Sequence, residues 1–249
     1  MTSPQATDSV RIAMWSGPRN LSTAMMRSFS SRADTFVSDE PFYGAYLKQT
    51  SDPQPMAAEV IASMDCDWQS VARAMRGPVP DGSPIWYQKH MPHHMEGPVD
   101  IRDFPGMRHA LLIRHPARVA ASYANKRSDI NADHLGITRQ RQYFDMIADQ
   151  QGCAPPVIDS ADVLADPENV LKKLCQALDI AWDTAMLRWD KGPHPQDGVW
   201  GSHWYDAVNA STGFGDPPGP LPDLPVAYRR VADQCLADYE FLRQFALSA

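Results

Sequence analysis

Residues 10–29 read VRIAMWSGPRNLSTAMMRSF. The apolar run over 11–15 predicts a buried strand, and the spacing from Pro18 to about Ser31 predicts a helix. Between them Gly17, Pro18, Arg19, Asn20, Leu21, Ser22 and Thr23 crowd into one turn. Such a turn presents unpaired backbone N–H groups and the positive end of a helix dipole, a ready site for an anion. Arg19 adds a fixed charge with a forked donor, and Ser22 and Thr23 add hydroxyls. The ATP-binding version of the turn ends in Gly-Lys-Ser/Thr, which organises magnesium, and this one does not. An ordinary strand–helix turn capped by Asn20 or Ser22 would look similar, so the rest of the chain must decide.

Outward from this stretch, TFVSDEPFY (35–43) predicts a short strand ending in an acidic pair. Residues 54–76 predict a helix in two pieces, broken near Asp65 and Asp67. PIWYQKH (84–90) and HALLIRHP (109–116) predict two more strands, the second a continuous apolar run as in a sheet covered on both faces. Helices are expected over 117–127 and 138–151, and a fifth strand over 155–160. Asp166 and Pro167 signal the start of a helix carrying Val170, Leu171, Leu174, Cys175 and Leu178 on one stripe. Residues 190–225 are rich in Gly, Pro and Trp and too long for a plain connection, so a lid or binding loop is expected. A last helix is expected over 226–246, with Tyr228, Val231, Cys235, Tyr239 and Leu242 on one face. Strands alternating with helices predict an α/β fold: a three-layer parallel sheet, P-loop-NTPase-like, flanked by helices. Ligands in such sheets bind at the carboxyl ends of the strands. The opening turn, the acidic pair, His90 and Arg114 all fall at predicted strand ends. Residues 1–9 read as a flexible tail and 10–249 as one domain.

The chain has 249 residues and a formal net charge of −7. An acidic protein gains no general field for nucleic acid or an anionic membrane, so an anionic ligand must be caught by a local cluster. Cys66, Cys153, Cys175 and Cys235 form no C-x-x-C pair, which argues against a disulfide framework or a zinc site. The first residues lack the regions of a signal peptide, and no apolar run approaches a membrane span. A cytoplasmic protein is the expectation.

A second motif sharpens the first. LLIRHPARVAASYANKR places Arg114 at a strand end and Ser122 eight residues on, in the following helix. Here the chain resembles the sulfotransferase family, which takes a sulfuryl group from 3′-phosphoadenosine 5′-phosphosulfate (PAPS). That family holds the 5′-phosphosulfate on a Pro-Lys-Ser-Gly-Thr-Thr loop. Pro18-Arg19-Asn20-Leu21-Ser22-Thr23 is similar, with arginine for the lysine and Leu21 for the glycine. The family's Arg-Asp-Pro…Ser pattern binds the 3′-phosphate, and Arg114-His115-Pro116…Ser122 is similar at the same spacing. VIDSADVLADPENVLKKLCQALDI resembles a structural segment of the family. Lys191-Gly192 followed by GVW resembles a late loop that closes on the nucleotide. The resemblance spans about residues 10–200.

It implies an enzyme in which Arg19 contacts the transferring group and Gly17 to Thr23, Arg114, Ser122, Lys191 and Gly192 bind PAPS, with no metal. Two residues compete as the base that takes the acceptor proton. His90 in QKHMP resembles the family's catalytic histidine segment, although the family's lysine falls on Gln88 and Lys89 is shifted by one. Glu40 in SDEPFY resembles the glutamate other branches use. Histidine starts near pKa 6.5 and glutamate near about 4.3, so His90 is the readier base and is favoured slightly. Either could be structural, His90 as a core histidine and Glu40 as a helix-start carboxylate. His93, His94 and Glu96 suggest a metal, but the helical H-E-x-x-H pattern is absent and Pro92 interrupts any helix. Arg118, Lys126 and Arg127 read as a solvated helix face, with Arg127 a further candidate cation for the 3′-phosphate. The expected partner is a small acceptor bearing a hydroxyl or amine, not nucleic acid or membrane; a homodimer is admissible. A non-catalytic nucleotide-binding module and a small-molecule kinase are the alternatives.

Overall fold

The structure, a computed structural model, describes residues 9–124 and 130–248. Lys126 and Arg127 lie outside the described residues, as does most of the expected tail. Five strands form one parallel sheet: β1 (Val10–Ser16), β2 (Thr35–Asp39), β3 (Ile85–His90), β4 (Arg108–Ile113) and β5 (Val157–Asp159), in the order β2-β3-β1-β4-β5. The helices are α1 (Ser22–Ser30), α2 (Tyr43–Thr50), α3 (Ala57–Ser63), α4 (Trp68–Arg76), α5 (Pro116–Ala124), α6 (Ala132–Leu135), α7 (Ile137–Gln151), α8 (Ser160–Ala165), α9 (Pro167–Ala177), α10 (Gly201–Trp204), α11 (Asp206–Asn209), α12 (Val226–Gln234) and α13 (Leu236–Arg243).

Alternation along β1 splits the core between the two faces of the sheet. Ile12 and Met14 pack with Met25, Phe29, Val170 and Leu174 under α1 and α9. Ala13 and Trp15 pack with Phe42, Tyr143, Ile147 and Leu242 under α2, α7 and α13. β1 is therefore buried on both faces and apolar without a break. Its neighbours β3 and β4 stand on opposite sides of it, so the turn after β1 sits where the connections diverge, the usual place for a ligand in an open α/β sheet.

Several predicted boundaries move for identifiable reasons. α1 starts at Ser22 rather than Pro18, because Arg19 and Leu21 have φ of 61° and 73°, the left-handed region no helix accepts. β2 stops at Asp39, because Glu40 has φ of 44° and turns the chain into α2. Asp67 accepts a hydrogen bond from the Ser70 N–H and caps α4, and Asp166 accepts from the Asn169 N–H at the start of α9. The last predicted helix is two. At Cys235 the amide turns back onto Ala232 and Asp233, and the chain bends between α12 and α13. Tyr228 then packs with Ala120 and Leu224, whereas Cys235, Tyr239 and Leu242 enter the main core. One apolar stripe thus serves two partners. All four cysteines are free. Among the described residues no helix is long and apolar enough to cross a membrane.

Two buried histidines have a consequence for stability. The Trp15 indole N–H donates to His109 Nδ1 at 3.1 Å, and Trp15 stacks on His90 at 4.7 Å. Burial pushes His90 down to about 3, aided by the charge of His109, and pushes His109 down to about 4. Both are neutral in the fold at pH 5, while an unfolded histidine takes a proton near about 6.5. Below that pH the unfolded chain binds protons the folded chain refuses. Stability should therefore fall by about 1.4 kcal/mol per pH unit for each histidine as pH drops from 6.5 towards 4. Urea unfolding at pH 7.5 and 5.0 measures this; equal midpoints would contradict it.

Candidate functional site

The turn after β1 is held from below and open above. A Cβ on Gly17 would lie 2.4 Å from the Leu135 carbonyl, so only glycine passes there. Asn20 is buried and donates from its side chain to the Leu112 carbonyl at 3.2 Å. The Gln140 amide donates to the carbonyls of Trp15 and Leu112, fixing the ends of β1 and β4. No side chain caps α1, so its first N–H groups remain available. Leu21 sits at φ 73° where a glycine would be unstrained; a non-glycine residue held there costs about 1–3 kcal/mol.

Above the turn lies a cavity of about 460 Å³. Pro18, Arg19, Leu21, Ser22 and Thr23 line one end, together with Arg114 and Ser122. The Arg19 Nε–H donates to the Ser122 hydroxyl at 3.0 Å, and Arg114 donates to the Arg19 carbonyl at 2.6 Å. These distances bring the two sequence motifs together from 95 residues apart. Burial pushes Arg114 below its ordinary value, and the charges of Arg118 and Arg19 add to this against the weaker pull of Asp159. Arg19, Arg114 and Arg118 crowd positive charge here, the electrostatic mark of an anion site.

Another wall of the same cavity is acidic and aromatic. Glu40 lines it with Tyr43, His93, His94, Trp200, Trp204, Tyr205 and Phe214. Behind Glu40 stands Lys89, fully buried, with its ammonium 2.9 Å from Glu40 Oε1 and 2.6 Å from Asp39 Oδ1. Lys89 also donates to the Tyr205 hydroxyl at 2.6 Å and lies 3.4 Å from the Thr23 hydroxyl. Burial opposes the ammonium charge, but Asp39 and Glu40 outweigh it and hold Lys89 well above its ordinary value. The Tyr205 hydroxyl donates to Asp39 Oδ2 at 2.8 Å and accepts from the Trp200 indole at 3.0 Å. The Gly198 amide donates to the same Asp39 oxygen, and Arg27 grips Asp197 with two hydrogen bonds. Residues 197–205, expected to form part of a lid or binding loop, are thereby fastened to α1 and to the end of β2.

His94 stacks on Tyr43 at 4.4 Å, and its Nδ1 is 3.8 Å from Glu40 Oε2. Burial, then the charges of Lys89 and His90, push it well below its ordinary value, so it is neutral at pH 7.

The sequence candidates separate in this geometry. Pro18, Arg19, Leu21, Ser22, Thr23, Glu40, Arg114 and Ser122 line the cavity. Gly17 and Asn20 support the turn from beneath. His90 does not line the cavity: it is 2% exposed, on the opposite face of β3 from Lys89, and bonded through Nε2 to Gln88 at 3.1 Å. Lys191 and Gly192 are not among the lining residues; Lys191 is exposed, and the Gly192 amide donates to the Asn209 carbonyl. Among the described residues no three His, Cys, Asp or Glu side chains are grouped to hold a metal ion. Sequence reading gave no site role to Lys89 or Asp39, and treated Tyr205 only as an aromatic of the core or of the acceptor pocket, not as the partner of both. A lysine inside a predicted strand was the available signal: β3 is buried along its whole length, and a lysine there must be paired.

A family model described as a sulfotransferase domain matches residues 10–242. Two curated relatives from Arabidopsis thaliana are similar: branched-chain-amino-acid aminotransferase-like protein 2, 33% identical over 233 residues, and protein 1, 34% identical over 234. Each match covers 93% of this chain, which spans only 41% of the length of either relative. Among solved structures, a sulfotransferase from Alicyclobacillus acidocaldarius aligns over 96% of this chain and 97% of its own, with a TM-score of 0.56 at 12% identity. The sulfotransferase domain from the curacin biosynthetic pathway aligns over 91% and 97%, with a TM-score of 0.50 at 16% identity. At these identities the structural likeness shows the fold.

Proposed function

The chain belongs to the sulfotransferase domain family, and from that premise we propose that it moves a sulfuryl group from PAPS to a hydroxyl or amine of a small acceptor, with Glu40 as the base. The observation that carries this reading is one cavity with a cationic turn at one end and a carboxylate in its wall: Arg19, Arg114 and Ser122 on one side, Glu40 on the other.

The residues present fit a doubly phosphorylated adenosine. Arg114 and Ser122 would hold the 3′-phosphate; Arg19, Ser22, Thr23 and the free N–H groups of α1 would hold the 5′-phosphosulfate. The donor supplies an activated sulfur–oxygen bond. Transfer forms a bond from the acceptor oxygen or nitrogen to sulfur and breaks the bond from sulfur to the 5′-phosphate. The acceptor proton passes to the Glu40 carboxylate, and negative charge gathers on the departing phosphate beside Arg19. A base so placed contributes about 10²–10⁴-fold, and donors aimed at the developing charge contribute comparably. Glu40 faces the cavity and His90 does not, which favours Glu40 as the base and gives His90 a packing role.

Calorimetric titration with 3′-phosphoadenosine 5′-phosphate (PAP) tests the donor site, with adenosine 5′-phosphate and ATP as controls. PAP should bind at least about tenfold more tightly than adenosine 5′-phosphate, as one added charge-assisted phosphate contact of about 1.5–3 kcal/mol requires. Equal affinities would refute the assignment of the 3′-phosphate site, and preference for ATP with magnesium would favour the kinase reading. Tight PAP binding with no sulfated product over a panel of phenols, alcohols and amines would leave a binding module.

A further inference from the structure

Lys89 carries a charge enclosed on every side. It is fully buried, it touches no solvent, and it does not line the cavity. Its ammonium nevertheless joins four parts of the site: Asp39 and Glu40 at the end of β2, Tyr205 at the end of α10, and Thr23 in the first turn of α1. Burying an ammonium beside two carboxylates is costly, and replacing such a group with an apolar one of similar shape is often neutral for stability. The contacts of Lys89 point to a role in the site. We propose that Lys89 is a positioning residue, whose ammonium holds the Glu40 carboxylate at the cavity wall and ties it, through Tyr205, to the 197–205 segment. This rests on the reading of Glu40 as the base.

The hydrogen bonds show why Glu40 depends on it more than Asp39 does. Asp39 Oδ2 accepts from the Tyr205 hydroxyl at 2.8 Å and from the Gly198 amide at 3.2 Å, and keeps both if Lys89 is neutralised. Glu40 Oε1 has the ammonium at 2.9 Å, and the nearest cationic candidate to Oε2 is His94 at 3.8 Å, beyond hydrogen-bond reach. The titratable groups facing Glu40 are then Asp39 beside it, Lys89 from β3, His94 after β3, Tyr43 from α2 and Tyr205 from beyond α10. Of these only Lys89 carries positive charge at pH 7; His94 is neutral and both tyrosines are raised above their ordinary value, burial being the first cause. Without Lys89 two carboxylates face each other in a dry site and cannot both stay ionised. The pair then shares a proton, burial already pushing Asp39 above its ordinary value, and Glu40 is the one left without the donor that held it.

The test is the pH dependence of kcat with PAPS saturating and the best acceptor from a panel of uncharged phenols and alcohols. Lys89→Met keeps the length of the side chain and removes its charge. The acid limb of the profile should move up by about one pH unit or more. Adding Asp39→Asn to that variant removes the opposing charge and should move the limb back. A residue that merely fills space would lower the whole profile without moving its limb, so an unmoved limb in Lys89→Met overturns the proposal, as does a double variant that fails to return. If Lys89→Met does not fold, Tyr205→Phe decides. It takes one donor from Asp39, which then draws more of the ammonium from Glu40, and the limb should move up by a smaller amount; no movement counts against the proposal. Glu40→Gln, measured alongside, separates the two readings. Turnover surviving in Glu40→Gln removes the base itself, whereas loss there with an unmoved limb in Lys89→Met removes only the role of Lys89.

Discussion

Glu40→Gln is expected to lower turnover about 10²- to 10⁴-fold with the donor saturating, while His90→Ala keeps turnover per folded molecule within about tenfold. The two side chains lie 50 residues apart in sequence and near one another in the fold, yet they differ in what they can reach. Glu40 lines the cavity, and its φ of 44° turns the chain at the sheet end so that the carboxylate follows the strand instead of continuing it. His90 is sealed between Trp15 and Gln88, and burial keeps it without a proton at neutral pH. A base must lie within hydrogen-bond reach of the proton it takes or be linked to it by one water, and geometry is judged before pKa. Glutamine keeps the shape of Glu40 and leaves Lys89 its bond to Asp39, so the loss should appear in kcat with the fold intact. His90→Ala opens a space beside Trp15 and should cost about 0.5–3 kcal/mol of stability instead. The measurement is initial rate alongside thermal unfolding for both variants. A large kcat loss in His90→Ala with unchanged unfolding, and none in Glu40→Gln, would exchange their roles.

The preference for His90 over Glu40 in the sequence came from side-chain type and from a motif matched one residue out of step. In a strand one residue is the whole difference between two faces. Gln88 bonds to Met75 of α4 and His90 stacks on Trp15, whereas Tyr87 and Lys89 meet Phe29 and Thr23 of α1, so the residue next to the expected lysine stands beside the cavity wall. Parity alone was readable, but which face carries the site was not, because β3 is buried on both and carries a polar residue on each. What was readable follows from local physics. The turn after β1, the Arg114…Ser122 spacing, the Asp-Pro start of α9 and the break before α4 each depend on residues fewer than ten positions apart in the chain. What was not readable depends on partners far away: Tyr205 meets Lys89 across 116 residues, and Asp197 meets Arg27 across 170. The Gly/Pro/Trp-rich segment announced a loop through its composition, yet its anchors are single side chains that composition does not distinguish.

Arg114→Ala should weaken PAP binding by about 30-fold or more, and adenosine 5′-phosphate binding much less. Truncating one member of a desolvated charge pair costs about 2–5 kcal/mol, which at 1.4 kcal/mol per decade is at least about 30-fold. Arg114 is crowded by Arg19 and Arg118, so a 3′-phosphate entering beside it would relieve repulsion as well as gain attraction. The residue has a second task that complicates a single measurement. It donates to the Arg19 carbonyl at 2.6 Å and so braces the turn that would hold the 5′-phosphate. Losing that bond should cost about 0.5–1.5 kcal/mol whichever nucleotide binds, so the ratio of the two affinities, not either alone, isolates the 3′-phosphate. Ser122→Ala offers an internal comparison. It removes the hydroxyl that the Arg19 Nε–H reaches at 3.0 Å, leaves the brace from Arg114 intact, and should shift the same ratio by a smaller factor. Equal losses for the two nucleotides in Arg114→Ala would reduce this arginine to a brace for the turn and move the second phosphate elsewhere in the cavity.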